Sequence, residues 1–292
     1  LGYMYQNVIT PSLEHYLTQV NNPKIRSIIK YAIEGGKCVR GFIVKHIIDT
    51  LGGEKDKTHW EPIACIELIH AASLIVDDLP CMDNDSERRG KISTFVKFGK
   101  HEAILISLYM VSESVRLITN ALTQKSLNRC QLLINEWCNL LGKNLVLGQL
   151  LDLKTDASEY FNIPINTNNF NDILIKYKTC SLFSFAFLLG ALYAGIEFDP
   201  NDFKAMGQHF GMLFQLVDDY KDIKEDDQRV NYVLKHGLQK TTSKYLESRV
   251  QFIILLKKYK LDTPSFMHMI EKLDTYIPNL FQDSIQQQTL TN

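Results

Sequence analysis

Two apolar helical runs in this 292-residue chain each end on a pair of aspartates, and that pattern restricts the fold more than any other. The first runs from Ile63 to Val76 and leaves the helix as Asp77-Asp78-Leu79-Pro80-Cys81-Met82-Asp83-Asn84-Asp85-Ser86-Glu87-Arg88-Arg89-Gly90. The second reads Phe214-Gln215-Leu216-Val217-Asp218-Asp219-Tyr220-Lys221-Asp222. Each helix has to be buried along its length yet end where several carboxylates are tolerated. Pro80 cannot continue a helical turn and biases Leu79 away from helical geometry, so the chain is expected to fold back and bring Asp83 toward Asp77. Carboxylates crowded at a helix C-terminus repel one another and meet the negative pole of the helix dipole. A hard divalent cation removes that cost, and Mg²⁺ typically takes one or two carboxylates together with phosphate oxygens. Arg88 and Arg89 add planar donors suited to phosphate. Asp218 and Asp222 share a helical face with Gln215, while Leu213, Leu216, Val217 and Tyr220 form the stripe expected to face the core. A solvated acidic turn would account for the first stretch alone, and an acidic face neutralised by Lys221 for the second alone. Together they fit one metal–phosphate site with two acidic walls.

The rest of the chain carries apolar residues at helical spacing and no convincing alternating strand run. Helices are expected at roughly 3–20, 23–34, 37–51, 60–79, 100–122, 126–153, 169–195, 200–225, 238–258 and 263–276. Connections are short, and no Pro/Gly/Ser-rich linker or internal repeat marks a boundary. The expectation is a single all-α domain over 1–292, a helical bundle whose Gln- and Thr-rich end, about 282–292, frays. Net charge is −1, so a broad basic surface for nucleic acid is absent. The six cysteines show neither metal-ligand pairing nor secreted-scaffold spacing, which favours a reducing compartment. Residues 179–196 carry no charge and approach the length of a membrane span, but interspersed Thr, Ser, Cys and Gly favour a buried central helix over an integral membrane segment. The chain begins at Leu1 and shows no signal peptide. A cytoplasmic location is expected, with an organellar leader ahead of Leu1 left open.

Smaller elements carry chemistry too. Gly35-Gly36-Lys37-Cys38-Val39-Arg40 breaks one helix and opens another, and helix-start amides beside Lys37 and Arg40 suit a diphosphate. An ordinary turn with exposed bases reads the same way. His70, Ser73 and Asp77 fall on one helical face. Gln149 and Asp152 end another apolar run. Lys178-Thr179 enters an uncharged helix, where a lysine is expensive to bury without an anion.

Asp77-Asp78-x4-Asp83 followed by Arg88-Arg89-Gly90-Lys91, with Phe214-Gln215-x2-Asp218-Asp219-x2-Asp222 downstream, resembles the two aspartate-rich motifs of the trans-isoprenyl diphosphate synthases. Asp77-Asp78-Leu79-Pro80-Cys81-Met82-Asp83-Asn84-Asp85 is especially similar to the geranylgeranyl and farnesyl diphosphate synthases of plants and bacteria. The resemblance implies an all-α fold around a central cavity, a homodimer, and Mg²⁺-dependent 1′-4 condensation of isopentenyl diphosphate with an allylic diphosphate. It implies Asp77, Asp78, Asp83, Asp218, Asp219 and Asp222 as the metal-holding set. Arg88, Lys178 and Thr179 would meet the allylic diphosphate; Lys37, Arg40, His70 and Arg89 would meet isopentenyl diphosphate; Gln215 would face the allylic cation with Thr179. An alanine at position 72 implies a twenty-carbon product ahead of a fifteen-carbon one, with Tyr109 as an opposing floor. Gly41 stands where the family usually has proline, Cys38 where it has a base, and Val76 where it often has histidine. The segment from Asp222 to Tyr232 is shorter than the family's lysine-bearing loop, and Lys224, Arg229 and Lys235 are its nearest bases. A terpene cyclase is disfavoured by the second Asp-Asp-x2-Asp. A non-catalytic partner of an active synthase is kept open by the short loop. A membrane-binding helical protein would leave both motifs as accidents.

Overall fold

The computed structural model describes residues 2–52, 59–123, 126–153, 158–224 and 227–278; the expected frayed end, 282–292, lies outside them. The described chain is all-α. Its helices are α1 (Gly2–Gln19), α2 (Pro23–Ile33), α3 (Val39–Leu51), α4 (Trp60–Asp77), α5 (Thr94–Phe98), α6 (Lys100–Thr123), α7 (Leu127–Trp137), α8 (Val146–Leu153), α9 (Phe170–Leu174), α10 (Cys180–Ala194), α11 (Pro200–Lys221), α12 (Tyr232–Lys258) and α13 (Pro264–Asp274). Contacts gather into two compact units. One comprises the residues up to Cys138 with Ala186–Phe198, and the other Asn139–Phe185 with the residues from Asp199 onward.

In the first unit α4 is the central element. Pro62 to Ile69 are buried without a break, so this helix has no polar face over two turns and is enclosed on all sides. Around it pack α1, α2, α3 and α6, with Ile43, Val44, Ile47, Ala103 and Met110 fully buried. In the second unit the core is aromatic. Phe183 meets Phe210 edge-on at 5.1 Å between ring centroids, Phe210 meets Phe252 at 5.5 Å, and Phe252 meets Phe266 at 6.4 Å. The uncharged helix α10 is buried from Cys180 to Tyr193, as the sequence led us to expect of a core helix.

Four local features depart from the sequence-based expectation. The helix expected from 37 starts at Val39, because Cys38 sits in the left-handed region (φ 51°); Lys37 therefore precedes the helix and does not share its first turn with Arg40. The helices expected over 126–153 and 169–195 are each interrupted by π-helical turns, Cys138–Leu145 and Ile175–Thr179. Backbone closeness accounts for part of this: a Cβ on Gly148 would lie 2.5 Å from Lys178 N, so α8 rests directly on the second π turn. Helix α12 begins at Tyr232 rather than 238, capped by Asn231 Oδ1, which accepts from Leu234 N at 3.1 Å. Gly237, non-helical at φ 79°, masked that earlier start. Last, a hairpin too short for any periodicity forms after the first acidic stretch, pairing β1 (Glu87–Arg88) with β2 (Lys91–Ile92). Its two-residue turn puts Arg89 (φ 56°) and Gly90 (φ 73°) in the left-handed region, as a type I′ hairpin requires.

Candidate active site

The first acidic stretch folds back as its proline demands. Asp83 N donates to Asp77 O at 2.9 Å, Asn84 N to Leu79 O at 3.1 Å and Asp85 N to Asp78 O at 3.1 Å, wrapping the chain over the C-terminus of α4. Both aspartates at that end are buried, Asp77 to 8% exposure and Asp78 to 2%. Asp78 is buried, and its Oδ1 accepts from Arg88 Nε at 2.8 Å and from Arg88 Nη2 at 2.5 Å. Burial pushes the Asp78 carboxyl up, and the Arg88 guanidinium opposes that shift. Asp77 is the last residue of α4, and Asp83 is exposed beyond it.

The hairpin distributes three cations. Arg88 reaches Asp78, Lys91 Nζ donates to Tyr31 O at 2.9 Å, and Arg89 Nη1 donates to Ala32 O at 3.3 Å, so two of them sit on the last carbonyls of α2. Arg89 also lies flat on the following turn, where a Cβ on Gly36 would be 2.9 Å from its Nη1. A cavity of about 590 Å³ opens at this turn, lined by Gln6, Gly35, Gly36, Lys37 and Arg89 among others. Arg40 and His70, expected to share a ligand, do meet: Arg40 Nη1 donates to His70 Nε2 at 3.3 Å. The imidazole is therefore neutral with its proton on Nδ1, and Nδ1 is buried without a hydrogen-bond partner. Burial, then the charges of Arg40, Arg89 and Arg88, hold His70 well below the usual histidine range.

Glu67 escaped the sequence reading. This buried carboxylate accepts from Gly41 N at 2.7 Å, and burial raises its pKa against the opposing pull of that bond, Arg40 and Arg89. A proline at position 41 would have no N–H to give. Two signals were available: a lone acid inside the apolar run Ile63–Val76, and the unusual glycine.

The second unit organises its acids differently. Asp218 is half-buried on the last turn of α11, with Lys221 Nζ 3.9 Å from its Oδ1, and Asp222 caps the helix, exposed. Asp219 is buried with both oxygens engaged: Oδ1 accepts from Gln215 Nε2 at 2.7 Å and Oδ2 from Tyr232 N at 2.8 Å. Gln215 Oε1 in turn accepts from Thr179 Oγ1 at 2.7 Å, which joins two residues expected to work together. Lys178 is ion-paired with Asp152, so the anion that a half-buried lysine needs comes from the chain itself.

The donor set suits a hard cation. Among the described residues no three His, Cys, Asp or Glu side chains converge to cage an ion unaided. The carboxylates of Asp77, Asp83, Asp218 and Asp222 are hard oxygen donors of the kind that hold magnesium together with water and phosphate oxygens.

Residues 22–242 match the family model described as Polyprenyl synthetase. The chain is 30% identical over 251 residues to the geranylgeranyl diphosphate synthase of Cyanophora paradoxa, covering 84% of this chain and 81% of that protein. It is 31% identical over 232 residues to the farnesyl diphosphate synthase of Bacillus subtilis, covering 77% and 75% respectively. Among solved structures, a geranyltransferase from Legionella pneumophila aligns with a TM-score of 0.77 at 26% identity, covering 93% of this chain and 94% of that one.

Proposed function

Because this chain belongs to the polyprenyl synthetase family and is a trans-prenyltransferase, we propose that it condenses isopentenyl diphosphate with allylic diphosphates by 1′-4 addition, with geranylgeranyl diphosphate as its main product. The observation that carries the site assignment is the division within each aspartate pair: the second member, Asp78 or Asp219, is the more deeply buried, and its carboxylate accepts short hydrogen bonds from Arg88 or from Gln215 and the Tyr232 amide. Asp77 and Asp83 in one unit, and Asp218 with Asp222 in the other, would hold Mg²⁺. When bound, the metal neutralises the diphosphate and makes it a better leaving group. Asp78 and Asp219 support the set from behind.

The remaining roles follow from the donors available. Lys178 and Arg88 hold the allylic diphosphate; Lys37, Arg40, His70 and Arg89 hold isopentenyl diphosphate, with His70 Nδ1–H a donor that burial leaves in need of an acceptor. As the allylic C–O bond breaks, the double bond of isopentenyl diphosphate supplies the electron pair of the new C–C bond. The departing diphosphate takes the proton then lost, so no protein base is required. Thr179 points its hydroxyl proton at Gln215, which leaves its oxygen lone pairs available to the developing cation. Two copies would pair through α6, which exposes Ile104, Leu105 and Leu108 in succession.

Product length rests on Ala72, buried on α4 five residues before Asp77. A small side chain there leaves room for a longer tail, about 0.8 kcal/mol of burial per methylene. Tyr109 on α6 supports a second reading, farnesyl diphosphate, if its half-buried ring limits the tail. The test is labelled isopentenyl diphosphate with each allylic starter, with and without Mg²⁺, resolved by product length. The expected result is a metal-dependent twenty-carbon product, shortened by Ala72→Phe. No product above the metal-free control would reject the reading; product only with an added homologous subunit would replace it with that of a partner protein.

A further inference from the structure

Residues 227–232, after the second acidic motif, are tied to Lys178 and Thr179 by two relays that end on these adjacent residues. In the first, Arg229 donates from Nη1 to Leu151 O at 3.4 Å and from Nη2 to Asp152 O, closing the C-terminus of α8, while the Asp152 carboxylate grips Lys178 Nζ. In the second, Asn231 Nδ2 donates to Asp219 O at 2.7 Å and Tyr232 N to Asp219 Oδ2 at 2.8 Å. Asp219 Oδ1 accepts from Gln215, whose own oxygen accepts from Thr179. The segment is itself anchored. Asn171, fully buried, donates from Nδ2 to Arg229 O at 3.1 Å and to Val230 O at 2.9 Å, and Arg229 N donates to Asp227 Oδ1 at 2.9 Å. The guanidinium also lies 5.6 Å from the centre of the Phe170 ring.

Arg229 is thus not a lid base waiting for a diphosphate. A planar fork on the last carbonyls of a helix is a structural fixture, favoured by geometry and by the helix dipole. Asp152 is held from both ends, its carbonyl by Arg229 and its carboxylate by Lys178. Lys178 and Thr179 lie on a π turn, a departure from regular helix of the kind found at functional sites.

We propose that Arg229 to Tyr232 form a fixed brace that positions Lys178 and Thr179. Arg229 acts through Asp152 on the lysine; Asn231 and the Tyr232 amide act through Asp219 and Gln215 on the threonine. Both are positioning residues, and the inference rests on the roles given above to Lys178 and Thr179. Through Lys178 the brace sets affinity for the allylic diphosphate, through Thr179 it sets turnover, and it leaves affinity for isopentenyl diphosphate alone.

The test is a double-mutant cycle of Arg229→Gln and Lys178→Ala, with KM measured separately for geranyl diphosphate and isopentenyl diphosphate. Lys178→Ala should raise the geranyl diphosphate KM by about tenfold and Arg229→Gln by about fivefold, with the double variant no worse than Lys178→Ala. Pyrophosphate titrated calorimetrically into the same four proteins should give the same order of affinities without turnover. Asn231→Asp keeps the acceptor for Leu234 N but loses the donor to Asp219 O, and should lower kcat by about threefold at unchanged KM. If Arg229→Gln does not fold, Arg229→Lys carries the cycle, with a smaller shift in the same direction. Additive effects in the double variant, or equal shifts in both KM values, would overturn the brace. If Lys178→Ala itself leaves the geranyl diphosphate KM unchanged, the role of Lys178 fails and the brace falls with it. If only Arg229→Gln is silent, the brace alone is wrong.

Discussion

The two aspartate pairs share a dipeptide and a place at the end of an apolar helix, yet the protein completes them with different chemistry. After Asp77-Asp78 the chain makes a hairpin that returns a cation, and Asp78 is held by the Arg88 guanidinium. After Asp218-Asp219 it starts a new helix, and Asp219 is held by neutral donors, a backbone amide and a side-chain amide. The first region keeps ionisable groups close together, with Glu67, Arg40, Arg89 and His70 in mutual reach. Around Asp219 the second works through neutral donors that lead to Thr179, beside a separate ion pair of Lys178 with Asp152. In both, the second aspartate is tied into the local structure, and the first is the one to which the proposed function gives the metal.

The largest effect should come from the first aspartate of each pair. Asp77→Ala and Asp218→Ala should each cut turnover by about a thousandfold or more while preserving the helical circular dichroism, because stabilising the leaving group is the largest catalytic contribution. An unchanged rate in either would remove that helix from the site.

Next come losses of stability that contrast charged with neutral support. Glu67→Ala leaves the buried Gly41 N–H unpaired and removes the carboxyl group from beside Arg40 and Arg89, and should cost about 2–3 kcal/mol in urea unfolding. Asn171→Ala, the neutral counterpart, should cost about 1–2 kcal/mol. Equal losses would mean that charge contributes nothing extra in the first region.

Much of this was legible in the sequence. Asp77, Asp83 and Pro80 implied the fold-back, because a proline and its neighbour leave few backbone options. The meeting of Arg40 with His70 followed from the resemblance, and the burial of α10 from its lack of charge. What escaped depends on contacts between residues far apart in sequence. The hairpin turn at Arg89-Gly90 goes with the docking of Arg89 and Lys91 on α2. The pairing of Lys178 with Asp152 follows from α8 lying backbone to backbone on a π turn. Neither leaves a periodic trace.

A smaller effect should appear with pH. The folded pKa of His70 lies below its unfolded value, so neutral His70 contributes stability that is present above the unfolded pKa and lost as pH falls through it. Between about pH 7.5 and 5.5 the wild type should lose more stability than His70→Gln, since only its unfolded state gains a proton at this position. His46, His209 and His236, also lowered by burial, remain in both proteins and cancel. Equal losses would mean that burial and the neighbouring arginines do not lower the His70 pKa. Smallest of all, Lys221→Ala should change stability by about 0.5 kcal/mol or less, because its contact with Asp218 is long and partly exposed.

The central claim is the division of work within each pair, and four isosteric variants test it side by side: Asp77→Asn, Asp78→Asn, Asp218→Asn and Asp219→Asn, each assayed for turnover and urea midpoint. Asp77→Asn and Asp218→Asn should lose turnover with midpoints equal to or above the wild type, since repulsion between carboxylates is relieved. Asp78→Asn and Asp219→Asn should lower the midpoint and retain the larger share of turnover once folded protein is counted. If Asp219→Asn instead keeps the wild-type midpoint and abolishes turnover, the second aspartates serve the substrate directly and the division is wrong.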